Sequence, residues 1–443
     1  MADELAGFPY CELAVNKSGL AVDAGATQKA ADTFAQAGVT DLFIVSHGWN
    51  NNMDEARGLY KDFFTAVRNV LDQNAVPGLN RKFGIAGVLW PSKKFTDEEL
   101  IPGGAASVTP SVRSTLLARK IDGLKGVFTV PNADAILQEA KDLLPDLEST
   151  PAAREKFGLL IRSLMANMAG DGEDASRQFV KMGGADLMQR LAVVVLPTGP
   201  AKPGGGAVSM GGAAAGAAGG PAGGAALFNP FSGVTAAAAN LLNLTTFYQM
   251  KERAGMIGRT AVNDLVKAVV ARLPDVKLHV VGHSFGARLV TSLALGKEGV
   301  QPQKFASMTL LQAAFSHNGF ADKFTTTGFF RAVVSDHRIT GPILVTCTAN
   351  DKAVGLAYPL ASLVAGQNAS GFGGPTDPFG GLGRNGAQNT TEAVAGELLP
   401  VGSAYDFKAG TIFNLNADKV ISGHSDICKP EVAYALLKSV ASA

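Results

Sequence analysis

Residues 280–290 read VVGHSFGARLV. A run of apolar residues ends in a serine flanked at one remove by two glycines, and a helical pattern starts at once. No room is left for an ordinary loop between the two. The pattern Gly282-His283-Ser284-Phe285-Gly286 is a weak signal by itself. Its setting, with a strand before it and a helix after it, makes it stronger. A sharp strand-to-helix turn of this kind holds the serine in a strained conformation with its hydroxyl presented. Gly282 and Gly286 take away side chains that would collide as the helix folds back along the sheet. The start of that helix also favours developing negative charge near the serine.

The flanking sequence indicates the scaffold. Apolar runs at 41–47, 83–90, 276–282, 305–311, 343–349 and 411–417 read as strands of a buried parallel sheet. Between the first two, Leu59, Phe63, Val67 and Val70 recur at helical spacing, with Asn51 or Asn52 placed to cap the helix. Phe247–Arg272 reads as one long helix, and ARLVTSLAL continues as a helix beyond Ser284. Alternation of this kind predicts an α/β fold whose ligands bind at the carboxyl ends of the strands.

The alternation is interrupted after Pro91. Four amphipathic helices fit Val112–Leu124, Ala133–Leu144, Pro151–Met168 and Ala175–Leu191, with Thr150 and Pro151 as a cap and first-turn pair. They are read as a helical cap inserted into the sheet domain; the alternative is a bundle on the sheet edge, away from the site. A Gly/Ala-rich flexible tract follows and leads into the apolar stretch Ala225–Leu244. Either this is a mobile lid edge that meets a lipid-like substrate or a membrane surface, or it is a linker followed by a buried helix. The small apolar area of Gly and Ala favours the linker. The expected division is a core of residues 1–91 and 245–443, a helical insertion over 92–198, and a linker or lid edge over 199–244. Gly366–Gly386 is expected to form another long loop near the strand ends.

Composition excludes several function classes. The 443 residues are 47% hydrophobic, enough for a large core, and 17% charged, with a formal net charge of +1. That balance, without a basic run, predicts no nucleic-acid partner. Cys11, Cys347 and Cys428 are odd in number and far apart, which suggests buried or free thiols. MADELAGFPY lacks the apolar core of a secretory signal, and no segment reads as a spanning helix. A cytoplasmic location is the default expectation, with export lacking a cleaved signal as the alternative.

A serine hydroxyl needs a base to become nucleophilic, and the chain has six histidines. His283 flanks the turn and is expected to point elsewhere, and His279 lies inside a strand. His317 and His337 precede the later strands, and His47 belongs to an earlier loop. His424, in ISGHSDICKP, lies between the last strand and a C-terminal helix and can reach across the strand ends. The base in turn needs a carboxylate to orient it. Asp351 follows the strand ILVTCTA directly, and Asn350 or Lys352 helps shape its turn; Asp336, Asp418 and Asp426 are the alternatives. The stretch VSHGWNNN supplies a loop after an early strand, where Gly48 lets the backbone approach an oxyanion. Trp49 N–H and Phe285 N–H are the candidate donors. His47 is assigned to bracing that loop, and Asn50, Asn51 and Asn52 to its mouth, with helix capping accounting for at least one of them.

With these elements in hand, the chain resembles the alpha/beta-hydrolase superfamily through SHGW, GHSFG, the Asn350-Asp351 pair and GHSD, in the order Ser, Asp, His. The resemblance covers 40–90 and 246–440. It is nearest to a bacterial serine-hydrolase branch of esterase/lipase-like proteins, on the phrases SHGWNNN and GHSFGAR. It implies a mostly parallel sheet flanked by helices, an acyl-enzyme mechanism, and neither metal nor organic cofactor. The expected substrate is a small-molecule or lipid-like carboxylic ester. A peptidase, amidase or thioesterase using the same three residues is the alternative within enzymology, and a non-catalytic binding protein of the same fold is the alternative outside it.

Overall fold

In the computed structural model, the described residues are 3–49, 51–92, 110–166, 176–192, 233–297, 299–322, 327–351, 354 and 379–443. The strands are β1 (Asp3–Leu5), β2 (Phe8–Ala14), β3 (Asp41–Ser46), β4 (Phe83–Leu89), β5 (Lys277–His283), β6 (Ser307–Leu311), β7 (Ile343–Cys347), β8 (Ala393–Glu397) and β9 (Ile412–Asn416). They form one sheet in the order β1-β2-β4-β3-β5-β6-β7-β9-β8. Every pairing is parallel except that of β1 with β2.

Side-chain alternation divides the core between the two faces of the sheet. Leu42, Ile44 and Val280 pack on one face, while Phe43, Val45 and Val281 pack on the other. The second face is covered by α2 (Met53–Asp72) and α13 (Pro430–Ala441), which meet each other. Helix α2 starts on a reciprocal cap: Asn52 Oδ1 accepts from Glu55 N at 2.8 Å, and Glu55 Oε2 accepts from Asn52 N at 3.0 Å. Of the two asparagines proposed for this role, Asn52 fills it. The first face is covered by α1 (Ala26–Gln36), α9 (Asn263–Arg272) and α10 (Phe285–Leu295).

Between β4 and β5 lie α3 (Pro110–Gly123), α4 (Ala133–Asp142), α5 (Pro151–Ser163), α6 (Ser176–Lys181), α7 (Gly184–Leu191) and α8 (Gly233–Ile257). The single helix expected over Ala175–Leu191 is therefore two. The break falls at Met182 and Gly183, where Gly183 is extended and starts α7. Thr150 stands at the N-cap of α5 with Pro151 in its first turn, but the threonine hydroxyl makes no capping bond. Leu137, Phe157, Ile161 and Leu187 belong to the same buried cluster as Ile44 and Val280, so these helices share a core with the sheet.

The long helix expected from Phe247 begins earlier, at Gly233, because Val234–Leu244 is rich in alanine and leucine, both strong helix formers. The boundary placed at 245 thus falls inside α8. A π-helical turn over Gly258–Val262 then joins α8 to α9. There α8 meets α10 backbone to backbone, since a Cβ on Gly258 would overlap the Leu289 carbonyl. The Gly/Ala tract before residue 233, most of Gly366–Gly386, Asn50 and Lys352 lie outside the described residues.

Candidate active site

Ser284 follows β5 directly, with φ +57° and ψ −124°, a left-handed region that costs a non-glycine residue on the order of 1–3 kcal/mol. The strain is held by packing on both sides of the turn. A Cβ on Gly282 would overlap the backbone of Ala287, so only glycine lets α10 fold back over β5. A Cβ on Gly286 would overlap the carbonyls of Ser46 and His47. Gly286 therefore serves contact with the neighbouring β3 loop more than the fold-back for which its absent side chain was invoked. Gly48 closes the arrangement, lying against Ser284 Cβ and Oγ.

Two further loops meet the serine. Asp351 follows β7, and His424 follows β9 and precedes α13. His424 Nε2 is 2.8 Å from Ser284 Oγ, and His424 Nδ1 is 2.8 Å from Asp351 Oδ2. Asp351 is fully buried, and its Oδ1 accepts from Val354 N at 3.0 Å. A carboxylate only accepts, so the proton on the imidazole sits at Nδ1 and Nε2 offers a lone pair to the serine hydroxyl. The other acids are engaged elsewhere. Asp418 accepts from Thr348 Oγ1 and Ala349 N, Asp336 pairs with Arg338, and Asp426 accepts from Ser422 and pairs with Lys429.

The loop after β3 is held just as closely. His47 Nε2 accepts from Trp90 N at 3.2 Å, so His47 Nδ1 carries the proton and donates to Gly48 O at 2.9 Å. Tyr60 Oη accepts from His47 N at 2.8 Å and donates to Val88 O at 2.6 Å. Burial pushes the His47 pKa down to about 4, so the ring is a neutral brace. Asn51 Nδ2 also reaches Gly48 O, at 3.4 Å. The rings of Trp49 and Phe285 lie 6.0 Å apart, and Phe247 of α8 packs on both.

His283 differs from expectation. Its ring lies 4.9 Å from that of His424, tilted by 43°, and its Nε2–H donates to the His424 carbonyl at 2.8 Å. Nothing in the sequence signalled this contact, because the two residues are far apart along the chain. Asn350 Nδ2 donates to the carbonyls of Asp418 and Ile421, tying the Asp351 loop to the His424 loop. His317 contacts Asn385 Nδ2, and His337 lies between α11 (Arg331–Ser335) and β7.

A second Ser–His–Asp set occupies the amino ends of the strands. His279 Nδ1 is 2.8 Å from Ser307 Oγ, and its Nε2 is 3.0 Å from Asp41, which also pairs with Arg81 at 2.7 Å. All three members are buried and lie at the end of the sheet opposite Ser284, as suits a structural network.

Among the described residues no group of His, Cys, Asp and Glu is arranged to hold a metal ion, and no helix is long and apolar enough to cross a membrane. No curated protein and no solved structure matches the chain. A family model described as the alpha/beta hydrolase fold matches residues 257–335, the stretch that carries β5, the Ser284 turn, α10 and β6. The matched turn sits in a mostly parallel sheet flanked by helices, an architecture that supports a hydrolase-type function. This match, over 79 of the 443 residues, and the sheet around it support membership of the alpha/beta-hydrolase superfamily.

Proposed function

We propose that the protein is a serine hydrolase that cleaves carboxylic esters, with Ser284 as nucleophile, His424 as general base and then acid, and Asp351 as the carboxylate orienting the base. The observation that carries this reading is the pair of 2.8 Å contacts linking the three side chains, with the serine on a strained turn. His424 takes the Ser284 proton as Oγ attacks the ester carbonyl, and Asp351 stabilises the imidazolium that forms. The alcohol leaves with that proton. Water, deprotonated by the same imidazole, then releases the acid and restores the serine.

The oxyanion formed in each half-reaction needs pre-aimed donors. A trans peptide points its C=O and N–H in opposite directions. The His47 and Asn51 contacts on Gly48 O therefore also fix the direction of the Trp49 N–H. Phe285 N–H belongs to the first turn of α10, where backbone donors have no partner within the helix. Phe247 of α8 backs both residues, which gives that helix a part in holding the oxyanion site.

A fluorophosphonate probe tests the chemistry: the folded protein should be labelled at Ser284, and the Ser284→Ala variant should not. Acyl esters of graded chain length, compared with matched amides, test the bond type. Turnover of amides at rates equal to the esters would replace the esterase reading with an amidase. Absence of labelling would leave a binding protein of this fold.

A further inference from the structure

We propose that His283 is a positioning residue for His424, its ring N–H holding the carbonyl of the base so that the imidazole stays in line with both Ser284 and Asp351. This rests on the serine-hydrolase reading above. It assigns a job to a histidine that neither attacks substrate nor exchanges protons in that mechanism.

His424 sits in a loop that leaves β9 and has to travel back across the strand ends to reach the serine. Asn350 secures the first half of the loop through the carbonyls of Asp418 and Ile421. Around His424, the loop is closed on itself by Ser422 N and Oγ, both of which donate to Asp426 Oδ2. At the peptide of His424 itself, the described tie to the sheet is the 2.8 Å bond from His283.

The identity of residue 283 supports this role. The side chain is buried, and its Nδ1 has no hydrogen-bond partner among the described residues. A buried, unsatisfied polar atom is costly, so an apolar side chain would suit the packing better. What the imidazole adds is the donor at Nε2. Burial, reinforced by the neighbouring His424, also lowers the His283 pKa to about 3. The ring therefore remains neutral while His424 gains and loses its proton, and puts no like charge beside the imidazolium. Because His283 and Ser284 are consecutive, nucleophile and base are referenced to the same strand end.

The experiment compares His283→Leu, His283→Gln and His283→Asn, each checked for folding by thermal melting. The fluorophosphonate labelling rate and final stoichiometry are measured along with kcat and KM on a soluble ester. Glutamine places an N–H near the Nε2 position, whereas asparagine is too short to reach it. The expected result for the leucine and asparagine variants is full final labelling, with kcat and labelling rate lowered about 10- to 100-fold. KM should stay within about two-fold, as for an interaction serving the chemical step. The glutamine variant should recover most of the loss. If the leucine variant fails to fold, the glutamine–asparagine contrast carries the test. Wild-type kcat in the asparagine variant, or no recovery with glutamine, overturns the proposal while labelled wild-type protein keeps the hydrolase reading. Wild-type protein that takes no label overturns both.

Discussion

Gly48 and Ser284 touch so closely that a single added methyl group on the glycine would overlap the serine's Cβ and press on its hydroxyl. The serine has no room to yield, because Gly282 and Gly286 pack the turn against Ala287 and against the β3 loop. Gly48→Ala should therefore displace the nucleophile or the oxyanion loop. We expect kcat/KM on an ester to fall by about 100-fold or more, with a parallel fall in labelling rate. An alanine variant with undiminished activity would show that the loop and the serine are not in working contact.

Replacing Asp351 by asparagine keeps an oxygen to accept from Val354 N but lets the imidazole adopt the wrong tautomer. The expected fall in kcat is on the order of 10³- to 10⁴-fold, with the melting temperature little changed. Asp336→Asn, which alters an ion pair with Arg338 and a bond from Ser335 outside the site, should leave kcat as it was. Equal effects of the two substitutions would remove Asp351 from its assigned role.

Stability should decline as the solution becomes acidic, starting near neutrality. His47 and His283 are held neutral by burial, with native pKa values lowered to about 4 and about 3, whereas in an unfolded chain they titrate near about 6.5. Above that pH neither state binds a proton at these rings and their contribution is complete. As pH falls through about 6.5, the unfolded chain takes up protons that the native rings refuse, so stability rises with pH and is lost on acidification. Urea midpoints measured from pH 8 to 4.5 should fall, and should fall less steeply in His283→Gln. Identical slopes in the two proteins would contradict the linkage.

Arg253 joins the inserted helices to the sheet. It is buried on α8 and donates to the carbonyls of Pro91, just past β4, and of Val127, just past α3. Arg253→Leu strands both acceptors and should cost about 2–4 kcal/mol in chemical denaturation, with proteolysis first appearing among residues 110–191. A change within about 0.5 kcal/mol, typical of surface substitutions, would show that water replaces the guanidinium without penalty.

The central strands were legible because a parallel strand covered on both faces reads as an unbroken apolar run. β3 through β7 and β9 all announce themselves this way. The sheet edges did not. β8 is mostly exposed and reads AVAGE, and β2 carries Pro9, Cys11 and Glu12 among its apolar residues, so neither forms such a run. Chain order and strand-end position point to Ser284, Asp351 and His424, and the fold sets the His424 ring within hydrogen-bond distance of each of the other two. The supporting contacts were only partly readable. The sequence points to His47 beside its loop but not to its partners Trp90 and Tyr60, nor to the bond from His283 to the His424 carbonyl. Such contacts depend on the packing of one loop over another, which no local pattern records.

Across the sheet, β5, β6, β7 and β9 lie side by side, so at roughly 4.8 Å per step the serine's strand and the histidine's strand are about 14 Å apart. The serine is reached one peptide beyond its strand, the aspartate after the short span from Cys347, and the histidine after the longer span from Asn416. Tether length therefore grows with the gap each residue has to bridge. Thermal wandering, and tolerance of inserted or deleted residues, should follow the same gradient, leaving the imidazole as the part of the apparatus most dependent on outside guy-lines.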